Sequence, residues 1–276
     1  MKKHCVTTVA LAALIATPAM AADLPVSAAA APPQPLDITY RWGGFYVGIH
    51  GGGDWFSKDW FAPITPNNIA AGCGPGAPQC GVPAGGHTSS SWLAGFQLGF
   101  NQQLGWLVWG VHVDQSWTSL ESSNASAIPA GLAAGLVNHS RTSSVGTAGA
   151  RIGAAWGQAL FYVKAGGAWA FDQFWTTAPI CDTFTCQRLR DTRLGGMVGA
   201  GVEYAFGRNW SVKVEYEHLD FIRQREPLDP ICTGCLAFDY DIQQRMDLVR
   251  VGLNYSFNSN PVNSSRPLSD RWNWPM

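Results

Sequence analysis

From Trp42 onward the chain alternates apolar with polar or small residues at a period of two, the pattern of β-strands whose two faces meet different surroundings. Eight segments carry it. In the first, Phe45, Val47 and Ile49 share one face, with Tyr46, Gly48 and His50 on the other. The apolar faces of the next three are Trp92 to Phe100, Leu107 to Val113 and Ala148 to Ala154, read at every second residue. Those of the last four are Phe161 to Trp169, Val198 to Phe206, Trp210 to Tyr216 and Val249 to Phe257. Beyond the first 21 residues no apolar run approaches the ~18 residues of a transmembrane helix. The longest candidates are broken by Lys164, Glu203 or Arg250, so a membrane would have to be crossed by strands.

The connections differ by side. Gln102 to Gly105, Gly157-Gln158 and Gly207-Arg208-Asn209 are short, whereas 57–88, 118–143, 174–192 and 222–242 read as long loops. Trp106, Trp156, Phe206, Trp210 and Phe257 fall beside the short turns, and Trp55, Trp117, Trp169 and Phe171 near the long loops. Two aromatic belts bracketing apolar windows of about ten residues are the mark of two membrane interfaces. A soluble ligand-binding barrel would turn its apolar face inward. The expected fold is therefore an all-β, eight-stranded antiparallel transmembrane β-barrel with short periplasmic turns and long extracellular loops. Composition agrees: 13% of residues are charged, against roughly 25% in an ordinary soluble domain. The formal charge of −1 excludes the positive field of a nucleic-acid binder.

Lys2 and Lys3, the apolar stretch from Val6 to Ala16 and Ala19-Met20-Ala21 make residues 1–21 a secretory signal peptide, so the mature chain is exported. Residues 22–41, with Pro25, Pro32, Pro33 and Pro35 among alanines, read as an extended, unpacked periplasmic linker. The barrel occupies 42–257. Residues 258–276 form a periplasmic tail in which Pro261, Pro267 and Pro275 oppose a ninth strand.

The alternation sends a balanced set of charges inward: Arg151, Lys164, Lys213 and Arg250 against Asp114, Asp172, Glu203, Glu215 and Glu217. An eight-stranded barrel is only wide enough for side chains to fill, so these groups are expected to pair into an ion-pair plug, with inward glycines making room. Arg250 should meet Glu215 or Glu217, and Glu203 at greater distance. His112, Asp114 and Ser116 share one face of one strand about 7 Å apart, too far for a catalytic triad and suited to hydrogen bonding in the lumen. In the exported chain Cys73/Cys80, Cys181/Cys186 and Cys232/Cys235 fall pairwise in three separate long loops, favouring local disulfides. The Cys232-Thr233-Gly234-Cys235 spacing finds no second half-site, so no metal is assigned.

Ala22-Asp23-Leu24-Pro25, the Ala/Pro stretch, the opening Trp42-Gly43-Gly44-Phe45-Tyr46-Val47-Gly48 and the closing Arg250-Val251-Gly252-Leu253-Asn254-Tyr255-Ser256-Phe257 resemble one family. It is that of the small eight-stranded outer-membrane proteins of alpha-class proteobacteria, the outer-membrane immunogenic or porin-family proteins. The resemblance covers residues 1 to about 257. It implies an abundant, non-enzymatic surface protein of the outer membrane, surrounded by lipid and lipopolysaccharide. It also implies delivery by periplasmic chaperones and recognition by the assembly machinery through the closing aromatic strand. The tail and the loop cysteines depart from the family pattern. Two readings of function follow: a structural surface protein contributing to envelope integrity, with loops for extracellular contacts and no cofactor, or a small porin or surface haem binder. Haem capture would need an axial ligand, and His87 and His139 are the donors the loops supply.

Overall fold

The computed structural model describes residues 40–66, 68, 81–125, 137–177, 187–230 and 238–257. Eight antiparallel strands close into a barrel in the order of the sequence: β1 (Gly44–Ala62), β2 (Val82–Leu104), β3 (Leu107–Ala125), β4 (Val137–Trp156), β5 (Ala159–Thr177), β6 (Gln187–Ala205), β7 (Trp210–Pro230) and β8 (Phe238–Ser256). Closure is made by β8 on β1, from Tyr46 opposite Ser256 to Phe61 opposite Asp241.

The stagger can be read from the register. Starting at Gly44, successive partners are Asn101, Gly110, Arg151, Lys164, Gly199, Glu217 and Leu248, and the circuit re-enters β1 at Asp54, ten residues above its start. A shear of ten over eight strands tilts them by about 40° from the axis. Gly105 (φ 61°) and Gly157 (φ 59°) occupy the left-handed conformation in the tight β2–β3 and β4–β5 turns, where a Cβ would be strained.

The strands are 19 to 23 residues long. Nineteen residues at ~3.3 Å, tilted by about 45°, rise roughly 44 Å, well beyond an apolar band of about 25 Å. The asymmetry of long and short connections holds, at 63–81, 126–136, 178–186 and 231–237 against 105–106, 157–158 and 206–209, and what is corrected is where the loops begin. Both ends of 57–88, 118–143, 174–192 and 222–242 are strand, and the barrel wall continues past the upper belt. Gln102 to Leu104, expected in a turn, belong to β2.

The reason is visible in the register. Irregularities fall at Trp60/Phe61, Trp117/Leu120, Thr142/Ser144, Arg188/Gly195 and Phe221/Gln224, all on the extracellular side. A bulge shifts the alternation by one residue. On β7 the inward residues run Ser211 to Phe221 at odd positions and resume at Glu226 and Leu228, so the period of two breaks although the strand continues.

Outside, the wall is apolar between two belts. Trp106, Trp156, Phe206, Trp210 and Phe257 are exposed at the end with the short turns, and Trp55, Trp92, Trp117 and Phe171 at the other. Trp169 lies partly sheltered, its indole donating to Gln115 Oε1 at 3.2 Å. Beneath the periplasmic mouth Tyr40 and Trp42 stack edge-on at 4.7 Å and pack with Val108, Leu160, Tyr162 and Ala205. Trp42 N donates to Gln103 Oε1 and its carbonyl accepts from Asn101. Tyr40 was expected in the unpacked linker and is instead part of the packed chain. Residues 1–39 and the 258–276 tail lie outside the described residues.

Candidate functional site

Register alone brings the inward charges together. Glu203 stands opposite Lys213, Glu215 opposite Arg250, and Arg151 opposite Lys164. With the lumen one side chain across, these pairs merge into a cluster. Lys164 Nζ donates to Asp114 Oδ2 and to Glu215 Oε1, each at 3.0 Å, and pairs with Glu217. Arg250 Nη2 donates to Glu215 Oε1 at 2.8 Å, pairs with Glu217 and lies 3.6 Å from Asp114. Lys213 Nζ reaches Glu215 at 3.3 Å and Asp114 at 4.0 Å, and the Tyr162 hydroxyl donates to Glu215 Oε2 at 2.7 Å. Every member is buried.

The space is made by glycine. A Cβ on Gly199 would sit 2.9 Å from Glu217 Cγ and 3.4 Å from Lys164 Cγ, and one on Gly201 would sit 2.6 Å from the Tyr162 phenol. The oxygens of Asp114, Glu215 and Glu217 lie within 4.8 Å of one another, close enough to hold a divalent ion. Lys164, Lys213 and Arg250 already supply that positive charge, so the donor set does not fit a metal.

On the periplasmic side of this cluster Arg151 is held between the rings of Tyr46 and Tyr162 at 4.5 and 5.1 Å. Its guanidinium donates to Glu203 at 3.2 Å and to Asn101 at 2.8 Å. Glu203 also accepts from Ser211 and Asn254, and Asn254 leads through Gln97 to His50 and Ser116. Eight of the nine charges named from sequence thus share one layer.

Asp172 stands apart. It pairs with Lys58 at 3.1 Å and accepts from Thr142, in the extracellular extension above an apolar layer. That layer includes Phe56, Leu93, Leu120, Met197, Phe221 and Met246 and lies between the two charged regions, with the buried carboxyl of Asp54 at its level. Lys58 was missed because it sat in a presumed loop; Asp172, left without a nearby cation in the main set, was the available clue.

Above the apolar layer the lumen is again filled. Trp60 packs edge-on against Phe174 and Tyr240 at 5.7 and 5.2 Å, and Arg193 lies over Phe174 while donating to the carbonyls of Ile222 and Ile242. Burial pushes the Lys58 ammonium down despite Asp172 beside it. Burial and neighbouring Asp191 push the Glu226 carboxyl up to about 7.

His218 Nδ1 lies 2.7 Å from Asp247 on the outer wall, and the histidines named from sequence are placed differently. His112 Nε2 is 3.7 Å from Asp114, beyond hydrogen-bond reach, and Ser116 bonds His50 at 2.8 Å instead. Ser116 and His50 are buried, and Gln97, not a carboxylate, orients the ring. His87, a candidate haem donor, has both ring nitrogens bonded inside the wall, to Asn124 and Ser140. His139 stacks on Trp175 at 5.1 Å and bonds Thr177. The six loop cysteines, Cys73, Cys80, Cys181, Cys186, Cys232 and Cys235, lie outside the described residues.

An apolar outer wall, two aromatic belts and a polar packed interior define an outer-membrane β-barrel protein. The sequence profile of the outer membrane protein beta-barrel domain matches residues 7–257. The chain is 33% identical over 254 residues to the 31 kDa outer-membrane immunogenic protein of Brucella melitensis, covering 90% of this chain and 97% of that one. The protein of the same description in Brucella suis matches equally. Similar solved structures include the outer membrane protease OmpT from Escherichia coli, with 8% identity, TM-score 0.49 and coverage of 79% of this chain and 98% of that one. Another is OprG from Pseudomonas aeruginosa, with 12% identity, TM-score 0.46 and coverage of 80% and 100%. Likeness at that distance carries no activity across. The chain belongs to the outer membrane beta-barrel family and resides in the outer membrane.

Proposed function

We propose that this barrel is a structural, non-enzymatic surface protein that contributes to envelope integrity and presents its loops for extracellular contacts. The observation that carries the reading is the filled lumen. Tyr40 and Trp42 pack at the periplasmic mouth, the Asp114–Lys164–Glu215–Arg250 layer is buried and mutually paired, and above it lies an apolar cluster with Asp54 as its buried charged neighbour. An ion crossing it would have to displace paired charges and then pass a largely apolar layer, each costing several kcal/mol.

On this reading residues 1–21 are removed on export, and periplasmic chaperones and the assembly machinery recognise the closing strand through Tyr255 and Phe257. The commitments of His87 and His139 favour neither as a haem ligand. Planar-bilayer recording of the refolded protein tests the reading, with negligible steady conductance expected. Large, stable, ion-selective openings would replace it with the small-porin alternative, and a haem titration with a saturable Soret shift would replace it with ligand capture.

A further inference from the structure

Three acidic side chains turn into the extracellular extension from consecutive strands. Asp172 on β5 and Asp191 on β6 stand directly opposite each other in the register, a pairing of like charges that destabilises a sheet unless a cation compensates it. Glu226 on β7 meets Asp191 from the other side, within hydrogen-bonding distance, and it is only 2% exposed. Burial and then repulsion from Asp191 hold its carboxyl up to about 7, the behaviour of two acids facing each other with too little positive charge between them.

The cations of the extension are committed elsewhere. Lys58 pairs with Asp172 at 3.1 Å, and Arg193 donates through Nη2 to the carbonyls of Ile222 and Ile242. Among the described residues no Lys or Arg forms an ion pair with Asp191 or Glu226, whereas Lys164, Lys213 and Arg250 all do so with the acids of the layer below. With the acids ionised, Asp172 Oδ2, Asp191 Oδ2 and Glu226 Oε1 are buried and no N–H or hydroxyl reaches them. Buried carboxylate oxygens without a donor are costly, so each is a free ligand atom.

The wall is interrupted at the same level. β6 and β7 pair up to Gly195 opposite Phe221 and resume at Arg188 opposite Asp229, which leaves 189–194 and 222–228 without a ladder between them. Asp191 and Glu226 lie on the two sides of this seam. Backbone carbonyls along it turn to other partners, as that of Ile222 does to Arg193. Carboxylate and carbonyl oxygens in an irregular frame are the donor set of calcium, which accepts about six to eight oxygens in a loose geometry, where magnesium demands a near-octahedral shell.

We propose that Asp191 and Glu226 hold a calcium ion across the β6–β7 seam, with seam carbonyls and water completing its shell. The ion takes the place of the missing ladder and clamps the extracellular extension. Arg193 attracts the same carboxylates at longer range, so affinity falls in the range of about 10⁻⁴–10⁻³ M typical of extracellular calcium modules. The site stands above the apolar layer and is independent of whether the lumen conducts.

Isothermal titration with calcium chloride tests it, on the full mature chain refolded in non-ionic detergent and stripped of metal by a chelator, at about pH 8 where Glu226 is ionised. The wild type should take up a single ion saturably. Asp191→Asn and Glu226→Gln should each weaken uptake about tenfold, whereas Asp59→Asn on the outer face should leave it unchanged. Amide exchange supplies a second readout: calcium should slow exchange at 189–194 and 222–228 in the wild type and in neither ligand variant. Heat-dependent gel mobility reports that each variant is folded. Absence of saturable uptake, or equal uptake by the wild type and both ligand variants, overturns the proposal. Uptake without slower exchange at the seam would put the ion elsewhere and overturn it as well. Uptake abolished by about 0.15 M sodium chloride, the mark of a diffuse counter-ion cloud, would do the same.

Discussion

Arg250 touches Asp114, Glu215 and Glu217 at once, so its removal leaves three buried carboxylates with Lys164 and Lys213 as their remaining cations. Breaking a buried pair costs about 3 kcal/mol because the surviving charge is uncompensated. Arg250→Ala should therefore unfold at lower urea concentration in micelles, and Glu217→Ala added to it should recover part of the loss. Additive losses would show that the two side chains are not coupled. Glu226 makes a pH prediction. Its carboxyl is raised from 4.5 to about 7, so the folded state holds its proton more tightly than the unfolded chain does. Stability from this group is complete below about 4.5, declines as pH rises from about 4.5 to about 7, and is level above. Protease resistance of the extracellular extension should fall across that window, and Glu226→Gln should abolish the slope.

At the scale of the strand, the question is why half of each element escaped its own sequence pattern. Within the membrane every outward residue meets lipid and every inward one the lumen, so the period of two runs unbroken through Val249, Val251 and Leu253. Beyond the belt the outer face meets water, and the bulges at Thr142/Ser144 and Phe221/Gln224 invert the phase. Polar residues then fall on both faces, as with Ser140 inside and Arg141 outside, and the segment reads as loop. Amide exchange should expose the difference: amides of 57–62 and 138–143 should be protected nearly as well as those in the membrane, where loops would exchange rapidly. Trp60→Ala, which deletes the ring between Phe174 and Tyr240, should cost about 3–5 kcal/mol if the extension unfolds with the barrel. A variant of unchanged stability would mark the extension as a separate, weaker unit. In the loops, mass spectrometry of the unreduced chain should find bridges 73–80, 181–186 and 232–235, and free thiols throughout would refute them.

At the scale of the whole molecule, the barrel has one orientation. Protease added to intact cells should cut only within 63–81, 126–136, 178–186 or 231–237, and an epitope tag at the C-terminus should stay hidden until the outer membrane is breached. Detection of that tag on unbroken cells would invert the topology. Architecture and location were legible in the sequence because lipid imposes a rule on every residue of a spanning strand: alternation, belts at two depths and short turns on one side. Nine of the inward charges were legible for the same reason, whereas Asp54, Lys58, Arg193 and Glu226, also buried, were not among them. The meeting of Arg250 with Glu215 and Glu217 was legible from adjoining strands, but partners such as Lys164 and Glu215 come from strands that are not neighbours, and only closure with a shear of ten brings them to 3.0 Å. The same closure gathers Phe56, Leu93 and Met246 into the apolar layer that sets Asp172 with Lys58 apart from the rest. Local sequence thus determined the wall, since each residue there answers to the solvent on its own side. The contents of the lumen were decided by tertiary structure, since they depend on how far around and how far up the strands are carried before the sheet meets itself.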